Sequence, residues 1–206
     1  MEVSQIKSKF YMNSFDQNTY VVANKKEAII IDAGAEIEDL ERVVKNKKVL
    51  AVLVTHLHFD HIFNIENILE KYNCPVYIQE GYEEKFYSGK KNVSYIMGKE
   101  LVFNVNEEKI KYYEDNLKIG KFKIEIIKTK GHSEDGVCIK IDDCLFTGDT
   151  IFENSIGRTD FYDSSDKEME KSLNLIRNID FKMAYPGHSN ICSKNQILNT
   201  ISFFIY

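Results

Sequence analysis

The stretch "THLHFDH", residues 55–61, holds three of the chain's five histidines and an aspartate. Imidazole nitrogen and carboxylate oxygen are ligands that zinc and related divalent metals take readily, so the chemistry this spacing points to is metal coordination. In an extended segment, residues i, i+2 and i+4 point the same way. That would align His56, His58 and Asp60 and leave His61 to turn away into the following helix. One short loop would then offer ligands on two faces, which suits two adjacent ions. His132, His188 and Asp149 would complete two sites, with Asp149 able to bridge. Taken singly, "GHS" and "GD" are weak signals, since Gly-Asp is a common turn. HxHxDH, joined by two further histidines at strand ends, is a strong one.

The elements that must position these groups follow from the pattern of apolar residues. "TYVVAN" and "EAIIIDAG" are β-branched runs around a charged "NKKE" turn, which predicts a hairpin. "EIEDLERVVKN" carries apolar positions at helical spacing. "KVLAVLVTH" is a continuous apolar run, the mark of a strand covered on both faces. "NIENILEKY" is helical, "CPVYIQ" a strand, and "GYEEKFYS" helical. Residues 88–108 are irregular and polar with scattered aromatics, and the aromatic, lysine-bearing stretch 86–97 is a candidate wall for a substrate groove. Strands return at "KIKYYE", "FKIEIIKT", "GVCIKI" and "CLFTGD". "SDKEMEKSLNLIRNI" is an amphipathic helix with Asp166 and Glu168 in its first turn. "KMAYPGHS" is a last short strand and "SKNQILNTISFFIY" a closing helix. Each histidine, and Asp149, falls just past the end of an apolar strand. The order, β-rich then α, twice over, predicts an α+β fold: an αββα sandwich of two mixed sheets packed face to face with helices outside. No cut point divides it, so one domain over 1–206 is expected.

Composition bounds the function. The net charge is −5 with a sequence pI of about 5.6, which gives no electrostatic footprint for nucleic acid or an anionic membrane. The N-terminus has no apolar leader region, and the longest apolar runs are far too short to span a bilayer. A cytoplasmic protein acting on a small molecule is expected, with its oligomeric state open. The four cysteines, Cys74, Cys138, Cys144 and Cys192, form no CxxC pair and read as reduced, mostly buried thiols. No GxSxG occurs, so a serine nucleophile is not indicated.

"THLHFDH", "GHSEDGVC", "FTGDTIF" and "PGHS", in that order, resemble the metallo-β-lactamase-fold hydrolases across nearly the whole chain. "IIIDAG" resembles the first conserved block of that family, and "SIGRTD" resembles its short glyoxalase II-like (hydroxyacylglutathione hydrolase-like) branch. The resemblance implies that His56, His58 and His132 hold a first metal and Asp60, His61 and His188 a second, with Asp149 bridging. Two zinc ions are expected, with iron or manganese as alternatives. Asp60 and Asp149 are the carboxylates that set this branch apart from the lactam-cleaving members, and both are the expected catalytic carboxylates. Asp32 would orient the histidine loop. Arg158, with Thr159 and Asp160, would bind substrate, Arg158 gripping a carboxylate. Its other reading is a structural ion pair with Asp160.

The activity implied is hydrolysis of a thioester, with a hydroxide shared by the two metals as nucleophile. A different class stays open. Persulfide dioxygenases share the fold and carry a "GRTDF"-like segment, which stands here at 157–161; that resemblance implies His56, His132 and Asp149 as the ligands of one iron. Lactone or other ester hydrolysis, and a metal-binding protein without catalysis, are further alternatives.

Overall fold

The computed structural model describes residues 1–9 and 16–205, the side chain of Lys9 excepted. The chain divides into two compact units, Met1–Tyr113 and Glu114–Tyr206. Each is built on one mixed six-stranded sheet.

In the first unit the strands run in sequence order: β1 (Glu2–Lys9), β2 (Asp16–Ala23), β3 (Glu27–Ile31), β4 (Lys48–Leu53), β5 (Val76–Ile78) and β6 (Ile110–Tyr112). The expected hairpin is β2–β3, antiparallel, with Tyr20 opposite Ile31. From β3 to β6 the pairing is parallel, which needs long crossover connections; α-helices supply the first two and a segment of 3-10 turns the third. The apolar run of β4 lies between β3 and β5, and Ala51, Val52 and Leu53 are fully buried. Helix α1 (Ile37–Val44) buries Leu40 and Val44. Helix α2 (Ile65–Tyr72) buries Ile65, Ile68 and Leu69 and ends at Asn73 in the left-handed conformation, where Asn is tolerated. "GYEEKFYS" is no α-helix but a five-residue 3-10 turn, Glu83–Tyr87.

In the second unit the order is β12 (Cys192–Ser193), β11 (Met183–Pro186), β10 (Cys144–Gly148), β9 (Val137–Ile141), β8 (Phe122–Lys128) and β7 (Asn116–Ile119). All pairs are antiparallel except β10–β11. Along β8, Phe122, Ile124 and Ile126 are buried and Lys123 and Glu125 exposed, the alternation of a half-buried strand. Helix α3 (Asp166–Arg177) starts on Ser165, whose hydroxyl accepts from the Glu168 N–H. Helix α4 (Lys194–Phe204) starts on a capping box between Ser193 and Gln196. Its last expected residue, Tyr206, lies outside the described residues. Cys192 packs in this unit's core with Met169, Leu173 and Ile197. Among the described residues no helix is long and apolar enough to cross a membrane.

Candidate metal centre

Of the first unit's ligand candidates, all four follow β4. His56, His58, Asp60 and His61 are all buried, at 3%, 4%, 7% and 0% exposure. The alternation expected over residues 56–60 breaks at Phe59, because Phe59–His61 forms a 3-10 turn. Asp60 therefore groups with His61, its Oδ2 lying 3.8 Å from His61 Nε2. The rings of His56 and His58 have centroids 4.6 Å apart, and those of His56 and His61 4.1 Å.

Asp32 holds this loop from the end of β3. It is buried and sits at φ 59°, a left-handed conformation that Asp tolerates at a cost of about 1–2 kcal/mol. Its carboxylate accepts from the Thr55 N–H at 2.7 Å, from the Thr55 hydroxyl at 2.9 and 3.0 Å, and from His61 Nδ1 at 2.8 Å. Hydrogen bonds to a charged group contribute roughly 1.5–3 kcal/mol each, which is what makes a buried carboxylate tolerable here. The same bonds fix protons. A carboxylate only accepts, so His61 Nδ1 carries the proton and its Nε2 keeps a lone pair. Thr55 has one hydroxyl proton, given to Asp32, so at 3.2 Å its oxygen accepts from His56 Nδ1. His56 Nε2 is a lone-pair donor for the same reason. The Asp32 turn is also stitched to the loop through its backbone: the Ala33 N–H donates to the His61 carbonyl and the Asn64 N–H to the Ala33 carbonyl.

The second unit assembles its own set. Asp149 follows β10, His132 follows β8 and His188 follows β11. Asp149 Oδ2 lies 3.6 Å from His132 Nε2 and 3.2 Å from His188 Nε2. His132 Nδ1 donates to the Arg158 carbonyl at 2.9 Å, which commits its Nε2 to the Asp149 side. A Cβ added to Gly157 would lie 1.8 Å from the Asp149 carbonyl oxygen and 3.0 Å from His132 Cβ, so only glycine fits there.

Arg158 and Asp160 form a two-pronged ion pair, both contacts at 2.8 Å, with both side chains mostly exposed. The guanidinium hydrogen bond holds the Asp160 carboxyl below the usual carboxylate range. Arg158 also lies over the Phe161 ring, and Phe161 packs edge-on against His132. Thr159 donates its hydroxyl to Asp166 at the start of α3.

Thr55, Asn92 and Gly157 escape a reading by residue type. Thr55 adjoins the histidines, and Gly157 stands beside Arg158. Asn92 has no such marker: its carbonyl accepts from the Phe59 N–H at 2.9 Å, inside a stretch that looks like a solvated loop. In fact Phe86, Asn92, Val93 and Ser94 are buried, while Tyr95, Ile96 and Met97 are exposed.

The profile of the metallo-beta-lactamase superfamily matches residues 13–188. The chain belongs to this superfamily. A probable metallo-hydrolase of Methanocaldococcus jannaschii, MJ0888, is 33% identical over 86% of this chain and 89% of its own length. The probable metallo-hydrolase YqgX of Bacillus subtilis is 30% identical over 83% of this chain and 84% of its own. The crystal structure of the BLEG-1 B3 metallo-beta-lactamase superposes with a TM-score of 0.88 at 27% identity, covering 98% of this chain and 99% of that one. The fold is therefore the superfamily's α/β sandwich of two mixed six-stranded sheets with helices.

As a superfamily member the chain carries histidine and aspartate groups that can bind metal. The donor chemistry fits. Three imidazoles, His56, His61 and His132, present Nε2 with the proton held on Nδ1 by a fixed acceptor, and carboxylates stand in both units. Within each unit, imidazole nitrogen beside carboxylate oxygen is donor chemistry that suits a borderline divalent cation such as zinc or iron.

Proposed function

We propose that this protein is a two-metal hydrolase of thioesters, of the S-2-hydroxyacylglutathione kind. In this reading His56, His58 and His132 hold one ion, Asp60, His61 and His188 the other, and Asp149 is shared. Superfamily membership and the relatives named as metallo-hydrolases support the hydrolytic class. The observation that carries the reading is the pair of carboxylates, Asp60 beside His61 in the first unit and Asp149 beside two imidazoles in the second. A carboxylate has two oxygens and can serve two ions, which an imidazole with one lone pair cannot.

Bound metal would bring the pKa of water down to about 7 and polarise the acyl carbonyl. The chain's own groups do the rest. Asp32 and Thr55 hold the protons of His61 and His56 on Nδ1, so neither ring can rotate without breaking a hydrogen bond. The Arg158 carbonyl does the same for His132. The Arg158 guanidinium, braced by Asp160 and Phe161, binds a carboxylate or carbonyl of the substrate. A thiolate leaves without a proton, so no further acid is needed.

The test is thiol release by metal-loaded protein from a panel of thioesters, with lactones and a β-lactam alongside. Thioester turnover that disappears, together with bound metal, in Asp149→Ala is the expected result. Faster opening of the β-lactam would transfer the reading to the activity named for BLEG-1. Oxygen uptake with glutathione persulfide would favour the second reading, a one-iron persulfide dioxygenase using His56, His132 and Asp149. That reading draws on the "GRTDF" segment, which contacts His132 through Arg158 and Phe161.

A further inference from the structure

The connection between β5 and β6 contains a residue in a conformation its side chain resists. Val93 is buried and has φ 65° and ψ 7°. A β-branched residue is a genuine outlier in the left-handed region, and such outliers persist only where the surroundings over-determine them.

Around Val93 the surroundings do so. The Val93 N–H donates to the Lys90 carbonyl and the Asn92 N–H to the Ser88 carbonyl. The Asn92 side chain accepts from the Ser94 N–H at 3.0 Å and donates to the Leu101 carbonyl at 3.0 Å. Ser94 in turn accepts from the Leu101 N–H at 2.8 Å and donates to the Gly89 carbonyl. Two side chains thus close the segment on itself and fix the peptide plane between residues 92 and 93. The remaining group of that plane, the Asn92 carbonyl, accepts from the Phe59 N–H at 2.9 Å. Phe59 stands between His58 and Asp60, where the extended chain turns into the 3-10 turn.

We propose that the Asn92–Val93 turn is a positioning element for the histidine loop. It acts through the Phe59 amide, and it sets where His58 and Asp60 present their ligand atoms. The left-handed φ of Val93 is what allows the Asn92 carbonyl to face the loop while the Asn92 side chain reaches Ser94 and Leu101. The metal half of this inference rests on the proposed metal-binding role of that loop; the hydrogen-bond half does not.

Two substitutions at one position separate conformation from side chain. Proline locks φ near −65° and removes the N–H, so Val93→Pro forbids the turn. Glycine takes positive φ freely, so Val93→Gly keeps the turn and loses only the isopropyl group. Hydrogen exchange over residues 56–62 of the metal-free protein reads the Phe59 amide directly. Chelator competition reads metal affinity, and the visible spectrum of cobalt-loaded protein reads ligand geometry. Val93→Pro is expected to lose protection at Phe59, to bind metal about 10-fold or more weakly and to shift the cobalt bands, since outer groups around a metal site carry effects of about 10- to 100-fold. Val93→Gly is expected to stay within about 3-fold of wild type, well short of that range.

Ile201→Ala, in the core of the second unit, controls for stability: it should lower Tm without moving the cobalt bands. Should Val93→Pro fail to fold, Asn92→Ala, which removes both hydrogen bonds of the Asn92 side chain, is expected to give the same loss. Wild-type protection at Phe59 and wild-type affinity in the disabled variants would overturn the proposal, as would equal losses in Ile201→Ala. A wild-type protein that binds no metal in the same titration would remove the proposed function and the metal half with it, while the exchange comparison still decides the hydrogen-bond half.

Discussion

His61 donates through Nδ1 to the Asp32 carboxylate at 2.8 Å, a bond that joins positions 29 residues apart in sequence. Through Thr55 the same carboxylate also governs the proton of His56. Asp32→Asn keeps the shape but substitutes an NH2 group for one acceptor oxygen. It therefore faces either the His61 N–H or the Thr55 donors with another donor. Metal affinity is expected to fall about 10- to 100-fold, with metal-to-protein ratio under chelator challenge as the check. Unchanged affinity would mean that the His61 ring is oriented by packing alone.

In the second unit Gly157 stands against the backbone of Asp149. With an added Cβ only 1.8 Å from the Asp149 carbonyl, Gly157→Ala must push the backbone of Asp149 away. Overpacking of this kind costs about 1–3 kcal/mol. The expected outcome is a lowered Tm with loss of hydrolysis beyond what the Tm change explains, measured by calorimetry and by thiol release.

Arg158 offers a cleaner separation. Its pair with Asp160 is exposed at 63% and 66%, and exposed pairs contribute about 0–1 kcal/mol. Arg158→Ala should leave Tm nearly unchanged. If the guanidinium binds substrate without taking part in the chemical step, KM rises while kcat holds. Arg158→Lys should restore little, because a lysine cannot reproduce the planar two-pronged contact. Steady-state kinetics on an anionic thioester and on a neutral one would test both statements.

The buried thiols make the fold sensitive to alkali. Burial pushes Cys138, fully enclosed, up to about 11, and does the same for Cys74. The folded state therefore keeps protons that the unfolded chain releases above its ordinary thiol pKa. The stability involved is complete below about pH 9 and is lost as pH rises towards 11, at up to about 1.4 kcal/mol per pH unit for each thiol. Urea midpoints should fall between pH 9 and 11, and less steeply in Cys138→Val. At pH 8 the folded protein should resist alkylation at both positions.

Much of the fold shows in the sequence because its central strands are covered on both faces and so read as unbroken apolar runs, as in "KVLAVL" and "EAIII". β7, "NLKI", is half exposed, and β12 has two residues, too few for any pattern. The candidate ligand residues stand out because histidine is rare in this chain. Their geometry does not follow from type alone. Strand alternation would align Asp60 with His56 and His58, but the 3-10 turn at Phe59–His61 sends Asp60 to His61 instead. The first N–H of that turn, from Phe59, donates to the Asn92 carbonyl, a group every residue carries. A backbone contact of that kind leaves no trace in residue type, and neither does the close approach that requires glycine at 157.

Metal stoichiometry tests the central claim most directly. The protein would be purified, loaded with zinc, freed of excess ion and measured by elemental analysis against chain concentration. Two ions per chain, falling to one or none in Asp149→Ala, is the expected result. One ion per chain that Asp149→Ala leaves in place would contradict the shared carboxylate and the two-metal hydrolase built on it.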